Sequence, residues 1–471
     1  MTADLTSFTG TLLLRDEEGF EDARTDRIFN RRLADRQPAA VLRAVTEQDV
    51  VAGVRLAMER GWRVAVRSGG HSWAQWSVRD EALVIDLGGL HDLDYNEATG
   101  VVTASPSTKG GVELAPYLAE RGRMFLGGHC PTVGIGGFLL QGGQGWNARG
   151  WGWAAEYVEA VDVVTAAGEL VRADATTHAD LYWAARGAGP GFPGVVTRFH
   201  LRTRPLPAHF AHTVQAFHLD DFDEVMTWLH EAHHHVAETV EIVALTKTDV
   251  HVSPTPVLLV TALAMVGSED EADAALAPFR ANPALHRAIF VIDNEPTTPE
   301  AERARQLEDN PEGHRWAVDN AWLSGSAGEV VPAMRSAYTT LPNDKTFTIW
   351  FSMAPLRELP DMAFSLQSEV YLASYVLWED ESDDERCEQW LAGVMAELQP
   401  VTVGQYLGDS DLSRRQLRVM SDDAWEQLQA VIAERDPDGL FVGHWPARPG
   451  RPTATTGTEV RPAMRRSGRT C

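Results

Sequence analysis

Two glycine-rich stretches of this sequence carry a histidine and a cysteine, residue types that can act as nucleophiles. Residues 67–73 read R-S-G-G-H-S-W, with His71 near the centre. Residues 127–147 contain eight glycines and include Cys130. Because glycine has no side chain, such runs favour positive φ angles or a close approach of the backbone to another group. Together they predict a large bound cofactor, held by backbone amides and two nucleophilic side chains.

Neither stretch is a standard nucleotide-binding motif. Residues 134–139, G-I-G-G-F-L, depart from G-x-G-x-x-G at the last position, as do residues 187–192. The pattern G-x-x-x-x-G-K-[ST] does not occur. The sequence therefore gives no support to a Rossmann or P-loop interpretation. Backbone amides of other glycine-rich turns can still hold a pyrophosphate.

The residue patterns of the two stretches resemble motifs of the berberine bridge enzyme-like branch of the vanillyl-alcohol oxidase superfamily. Members of this family have a PCMH-type FAD-binding domain. That family carries R-x-G-G-H and G-x-C-P-T-V-G-x-G-G at this separation, and residues 67–71 and 128–137 match. The resemblance covers residues 36–206 and resumes weakly at residues 436–441. It implies a bicovalent FAD, with His71 attached to the 8α-methyl group and Cys130 to C6.

The resemblance also implies which other residues surround the cofactor. Arg67, or a nest of backbone amides, would help to hold Cys130 as a thiolate. Val133 would lie near the flavin C4a, where a small side chain admits oxygen, so hydrogen peroxide is the expected co-product. The predicted cofactor-binding residues, besides His71 and Cys130, are Arg67, Ser68, Gly69, Gly70, Ser72, Gly128, Thr132, Val133, Gly134, Gly136, Gly137, Gly142, Gly143 and Val195. Residues 190–196 depart from the family's G-G-N-F-G-V-V, so that part of the cofactor loop differs.

Two further segments would act on the substrate. Residues 369–378 predict a strand with Tyr371 and Tyr375 on one face, and Tyr371 matches the position from which the family places a Glu or Tyr over the flavin. Residues 405–412, Q-Y-L-G-D-S-D-L, are similar to the family's A-Y-L-N-Y-R-D-L, whose second tyrosine is often the base. Asp409 stands in place of that tyrosine.

We therefore expect Asp409 to be the catalytic base, with Tyr371 as an orienting partner or an alternative base. A carboxylate suits this role near neutral pH only when it is buried, and Tyr406 would supply an aromatic pocket. Tyr371 as the base would need a nearby cation, Arg67 or Lys345. The alternative for Asp409 is an ordinary turn residue that follows a glycine.

A competing motif lies at residues 230–234, which read H-E-A-H-H. On a helix, His230 and His234 would share one face and could bind zinc, with Glu231 as a general base and His251 as the nearest third ligand. The simpler interpretation is a histidine-rich helix surface. We expect the simpler one, and hence no metal.

Stepwise alternation of short apolar runs with helical periods predicts an α+β fold with mixed sheets. Thr46 would cap a helix that ends before Gly61, and residues 62–66 would form the strand that leads into the His71 loop. Residues 158–172 predict a hairpin. After the R-P-L-P boundary at residues 204–207, the predicted strands are 213–219, 239–245, 257–265, 347–353 and one within 365–377, and the predicted helices are 221–236, 269–279 and 384–398.

The resemblance implies a two-part PCMH-type FAD-binding domain plus an antiparallel-sheet substrate domain backed by helices. Residues 1–206 would form the main part of the FAD-binding domain and residues 207–412 the substrate domain. Residues 413–445 would return to complete the FAD-binding domain. Residues 446–471, rich in Pro, Arg, Thr and Gly, would be a disordered tail.

Composition limits the partners. The sequence has 471 residues, with 41 Lys and Arg against 67 Asp and Glu, a net charge of −26. This balance argues against nucleic acid or an anionic membrane as a partner. No signal peptide or run of about 18 apolar residues is seen, so we expect a cytoplasmic protein. The three cysteines, Cys130, Cys387 and Cys471, predict neither a disulfide nor a zinc framework.

The resemblance thus implies an FAD-dependent oxidase that acts on a small organic substrate, an alcohol, a sugar hydroxyl or a C–N bond. Oxygen is the expected electron acceptor. The alternatives are a flavin dehydrogenase with another acceptor, a zinc metallopeptidase and a non-catalytic flavin carrier. The oligomeric state and the identity of the substrate stay open.

Overall fold

The computed structural model describes residues 8–248 and 253–443. The predicted tail at residues 446–471, Cys471 and the third zinc ligand proposed at His251 lie outside these ranges. No helix in the described part of the chain is long and apolar enough to cross a membrane.

The first sheet carries the His71 loop. Its strand order is β1–β2–β4–β3, with β1 antiparallel to β2 and the other pairs parallel; the elements are β1 (Thr11–Leu14), α1 (Phe20–Thr25), β2 (Ala40–Arg43), α2 (Glu47–Arg60), β3 (Arg63–Arg67) and β4 (Ala82–Asp86). Thr46 and Asp49 form a capping box at the start of α2, which confirms that prediction. Because β3 ends at Arg67, the loop leaves the carboxyl end of a parallel strand, a usual position for ligand sites.

A second sheet is antiparallel and has the order β5–β6–β10–β8–β9, beside a short ribbon of β7 and β11. The predicted hairpin is present as β8 and β9. The glycine-rich stretch contains a short helix that we did not predict, because glycines weaken helix propensity. The elements are β5 (Leu93–Asn96), β6 (Val101–Ala104), α3 (Ala115–Ala119), β7 (Arg123–Met124), α4 (Ile135–Leu140), α5 (Ala148–Trp151), β8 (Val158–Val164), β9 (Leu170–Asp174), α6 (Ala179–Ala184), β10 (Val195–Arg202) and β11 (Arg204–Pro205).

The third sheet has eight antiparallel strands in the order β15–β12–β14–β13–β17–β18–β16–β19. The elements are β12 (His209–His218), α7 (Phe222–Ala232), β13 (Val240–Lys247), β14 (Val257–Val266), α8 (Glu269–Leu276), β15 (Phe290–Thr297), α9 (Pro299–Asp309), β16 (Arg315–Leu323), α10 (Ala327–Thr339), β17 (Phe347–Ser352), β18 (Val370–Trp378), α11 (Asp384–Glu397) and β19 (Thr402–Gly404). Helices α7, α8, α10 and α11 bury one face of the sheet in the largest hydrophobic core. This arrangement confirms the α+β class and the antiparallel sheet backed by helices.

The end of the described chain returns to the first sheet. After α12 (Asp422–Arg435), Phe441 forms a parallel bridge with Val64 of β3. The Val64 backbone donates to Leu440 O and accepts from Val442 N, both at 2.8 Å. Residues 440–442 therefore lie beside the strand that carries the His71 loop.

Candidate active site

The two glycine-rich stretches touch each other, and their glycines are what makes this contact possible. A Cβ atom on Gly69 would lie 2.6 Å from Gly134 N, and one on Gly134 would lie 2.7 Å from Gly69 Cα. No side chain fits between two backbones at these distances. Gly70 adopts a φ of +77°, which other residues rarely tolerate. The sequence pattern thus fixes the histidine loop directly against the cysteine loop.

The two loops line one cavity of about 590 Å³, whose opposite wall is the open face of the eight-stranded sheet. The backbone N–H groups of residues 69–72 donate to none of the described residues. A Cβ on Gly137 would meet no atom within 4 Å, so this glycine leaves open space beside the loops. Unpaired amides around open space form a concavity suited to a phosphate or pyrophosphate.

His71 and Cys130 are joined through one hydroxyl. Thr132 Oγ1 lies 3.1 Å from His71 Nε2 and 3.6 Å from Cys130 Sγ. The imidazole also stacks on Phe29, with ring centroids 4.3 Å apart. Thr132 engages Nε2, and Nδ1 has no hydrogen-bond partner among the described residues. Burial, with the nearby Lys109 charge, lowers the pKa of His71 to about 3, so the imidazole is neutral and nucleophilic.

The thiol of Cys130 is not activated by a cation, and our prediction of that role for Arg67 is wrong. Burial raises the pKa of Cys130. The Arg67 guanidinium points away, to Asp86 at 2.8 Å and to the carbonyls of Ala23 and Arg24. It holds strand β3 and its loop in place, and does not contact the thiol.

Asp409 is held by side chains from distant parts of the chain. Its Oδ1 accepts from Trp73 Nε1 at 3.1 Å, and its Oδ2 accepts from the Tyr371 hydroxyl at 2.7 Å. All three side chains line the cavity that contains His71 and Cys130. Asp409 is therefore more than a turn residue, because its carboxylate is oriented by two donors towards the cavity.

Tyr371 is a donor in this cluster, and the structure does not give it the cation that a phenolate would need. Burial, reinforced by Asp409, raises the pKa of Tyr371 well above its usual value. Lys345 binds Glu379 and Arg67 binds Asp86, so neither of the predicted cations is available. These contacts leave Asp409 as the candidate base, and it is half-buried where we expected it to be buried.

Tyr406 lies in the same segment as Asp409, and hydrogen bonds hold this segment in place. The Tyr406 hydroxyl accepts from the backbone N–H groups of Gly143 and Gln144, both at 3.1 Å. Burial raises the pKa of Tyr406. Asn320 Nδ2 donates to the carbonyls of Tyr406 (2.8 Å) and Asp409 (2.7 Å), which fixes the segment that carries both side chains.

Four residues predicted to bind the cofactor do not line the cavity: Thr132, Gly142, Gly143 and Val195. Thr132 contacts His71 and Cys130 instead. Gly142 and Gly143, with φ of +102° and +76°, form the turn that holds Tyr406. A Cβ on Gly142 would contact the Phe364 ring at 2.7 Å. Val195 is fully buried in the core beneath the first sheet, whereas its neighbour Val196 lines the cavity. The prediction of Val195 was wrong by one residue. Val195 and Val196 are neighbours in strand β10, so their side chains point to opposite faces.

The H-E-x-x-H motif does not form a zinc site in the structure. Helix α7 ends at Ala232, before the second histidine of the motif. His230 Nε2 lies 3.1 Å from Gly325 O, and His234 lies 3.8 Å from Glu369. Among the described residues no group of three His, Cys, Asp or Glu side chains is placed to hold a metal ion.

Sequence reasoning missed several residues that shape the site. Trp73 binds Asp409, Phe29 stacks on His71, and Asn320 holds the Asp409 segment. One signal was available for Asn320, because it is a polar residue inside the apolar run W-A-V-D-N-A-W-L at residues 316–323. A buried amide in a strand requires partners.

Known proteins resemble this chain over most of its length. Residues 38–174 match the family described as FAD binding domain. The chain is 34% identical over 430 residues to FAD-linked oxidoreductase janO of Penicillium janthinellum, an alignment that covers 90% of this chain and 94% of that protein. A segment of 182 residues is 38% identical to the xylooligosaccharide oxidase of Thermothelomyces thermophilus, covering 38% of this chain and 36% of that protein.

Solved structures share the fold. The structure of 6-hydroxy-D-nicotine oxidase from Arthrobacter nicotinovorans superposes with a TM-score of 0.81 at 21% identity, covering 94% of this chain and 98% of that one. Berberine bridge enzyme in complex with (S)-reticuline superposes with a TM-score of 0.77 at 17% identity, covering 92% of this chain and 95% of that one.

Proposed function

Because the chain belongs to the berberine bridge enzyme-like FAD-linked oxidoreductases, we propose that it is an oxidase whose FAD is attached through both His71 and Cys130. One observation carries this proposal. The imidazole and the thiol lie on either side of the Thr132 hydroxyl, at the wall of the same cavity. A protein that bound flavin without a covalent bond would not need two nucleophiles at this point.

The residues present fit FAD. The free amides of residues 69–72 and the open space at Gly137 would hold the pyrophosphate. His71 and Cys130 would hold the ring system from one edge. When bound, FAD supplies the acceptor for the hydride that leaves the substrate.

Asp409 would take the proton that the substrate loses as its hydride departs. Tyr371 and Trp73 donate to the two carboxylate oxygens and so fix the direction in which Asp409 faces. A general base must lie within hydrogen-bond reach of the proton it removes. The substrate is a small organic molecule with an alcohol, sugar hydroxyl or C–N bond, and its oxidised carbon would lie between Asp409 and the flavin.

Covalent attachment is tested by acid precipitation of the purified protein. The yellow colour should stay in the pellet of the parent and of the single variants His71→Ala and Cys130→Ala, because either residue alone keeps one bond. The double variant should release all its flavin to the supernatant. Release of the flavin from the unmodified protein would contradict the proposal.

Oxygen is the proposed acceptor, because Val133 lines the cavity beside Cys130 and is small. Protein reduced without oxygen should regain its yellow colour when air is admitted, with one hydrogen peroxide formed for each flavin. Val133→Leu should slow this step and leave reduction by the substrate unchanged. Protein that stays bleached in air for minutes would favour the dehydrogenase alternative.

A further inference from the structure

We infer that the substrate is an elongated, largely apolar molecule that carries its oxidisable group at one end, and that it is not a sugar. The inference rests on the proposed function, since Asp409 is taken to mark the reacting end of the cavity. It is carried by the face of the eight-stranded sheet opposite to helices α7, α8, α10 and α11.

Two rows of side chains run across this face, and we call them the apolar floor. Register pairs place one row across six strands: Ile292, Val214, Thr261, Val243, Phe351 and Tyr371. The adjacent row includes Phe290, Leu259, Leu245 and Ile349. With neighbouring strands about 4.8 Å apart, the floor extends roughly 24 Å from the Asp409 cluster.

The apolar floor offers a substrate almost no hydrogen bonds. The Thr261 hydroxyl donates to Val243 O at 3.3 Å, and the Tyr371 hydroxyl donates to Asp409. Glu241, which lies beside the floor, binds His129 at 2.9 Å and Asn147 N at 2.6 Å. These three polar side chains are therefore already paired within the protein, whereas Gln144 Oε1, which also belongs to the cavity lining, has no partner among the described residues.

The charged residues at the far end are paired in the same way. Helix α9 lies over that end and contributes Glu302, Arg305 and Asp309 to the cavity wall. His212 contacts Glu302 and Arg305, both at 3.1 Å, and Lys247 binds Asp309 at 2.9 Å. These groups border the cavity, but their hydrogen bonds are directed to each other.

A sugar is poorly matched to such a surface, because nearly every carbon carries a hydroxyl. Each hydroxyl placed on the floor would lose its bonds to water without a replacement, which weakens binding by about tenfold or more. A hydrocarbon skeleton gains affinity from the same contact, since apolar area leaves water. One terminal polar group could still reach Asp409.

Primary alcohols of increasing length, from butan-1-ol to decan-1-ol, test this inference on the holoenzyme. Binding is followed without oxygen by tryptophan fluorescence and by the flavin absorption spectrum. Each added CH₂ should tighten binding about fourfold, the factor that corresponds to about 0.8 kcal/mol. Cellobiose should not compete. Affinity that does not depend on chain length, or cellobiose binding tighter than decan-1-ol, would overturn the inference.

Two variants at one floor position give a matched pair. Leu245→Gln places an amide in the middle of the second row and should weaken decan-1-ol binding by about tenfold. Leu245→Met keeps the position apolar and should leave binding near the parent value. Butan-1-ol, which is too short to extend from Asp409 to this position, should bind all three proteins equally. Equal binding of decan-1-ol to the Gln and Met variants would contradict the inference.

The readouts separate this inference from the proposed function. Tryptophan fluorescence reports binding of the alcohols even in a protein whose flavin is released by acid. If affinity depends on chain length but the flavin is not covalently bound, the inference about the substrate stands and only the proposal of covalent attachment is contradicted. If the flavin is covalently bound but affinity does not depend on chain length, covalent attachment stands and the inference about the substrate is contradicted.

Discussion

Asp409→Asn is expected to slow flavin reduction by substrate about 10²- to 10⁴-fold, the usual contribution of a general base. The amide keeps the size of the carboxylate but cannot accept the substrate proton. It also retains an oxygen that can accept from Tyr371 or Trp73, so the local geometry should survive. The measurement is the anaerobic rate of flavin bleaching under single-turnover conditions.

The control for this prediction is Tyr371→Phe, which removes the donor to Asp409 Oδ2 and leaves the carboxylate in place. Because burial raises the pKa of Tyr371, the phenol is a donor, and its loss should misorient the base without removing it. We expect a smaller decrease than for Asp409→Asn. If the rate of flavin reduction falls by orders of magnitude in Tyr371→Phe but stays within a few-fold of the parent rate in Asp409→Asn, the base is Tyr371.

Local patterns predicted the loops of the site well. The glycines of residues 67–73 and 127–147 predicted a close approach of the backbone to another group, and in the structure Gly69 and Gly134 approach each other. The capping box at Thr46 and the strand before the His71 loop are likewise properties of short segments. Such features depend on residues close in sequence, so a single sequence is enough to find them.

Contacts between distant segments could not be predicted in this way. Arg67 was predicted to lie beside the cysteine because a cation favours the thiolate, but its partner Asp86 comes from the adjacent parallel strand. Strand β16, which we did not predict, pairs with β18 and carries Asn320 to the Asp409 segment. These contacts follow from sheet pairing, which a local pattern does not encode.

The apolar floor shows the same limit. Its residues come from six strands, and a strand read alone does not show which of its two faces will line a cavity. Only the order β15–β12–β14–β13–β17–β18 places them side by side. The class of substrate thus becomes a question that the assembled sheet can address and the sequence cannot.

Asp86→Ala is expected to destabilise the protein by about 3–5 kcal/mol, the usual cost of leaving one charge of a buried pair without its partner. Asp86 is 2% exposed and binds both Arg67, which is fully buried, and Arg27. Among the described residues, the change would leave the Arg67 guanidinium with two backbone carbonyls and, as a carboxylate, only the more distant Asp26 at 3.9 Å. The midpoint of urea unfolding measures the loss.

The matched control for this last prediction is Arg27→Met, which removes the partly exposed partner of Asp86 and leaves the buried pair with Arg67 intact. Because Arg27 is 30% exposed, water compensates part of the lost contact, and the cost should be nearer to about 1 kcal/mol. Asp86→Ala should also loosen the loop after β3, because it releases Arg67, which ends that strand. Arg27→Met removes the bond to Ser68 O but leaves Arg67 held by Asp86. Less flavin should therefore be retained by Asp86→Ala than by Arg27→Met. Equal stability of the two variants would show that the buried pair does not anchor the His71 loop.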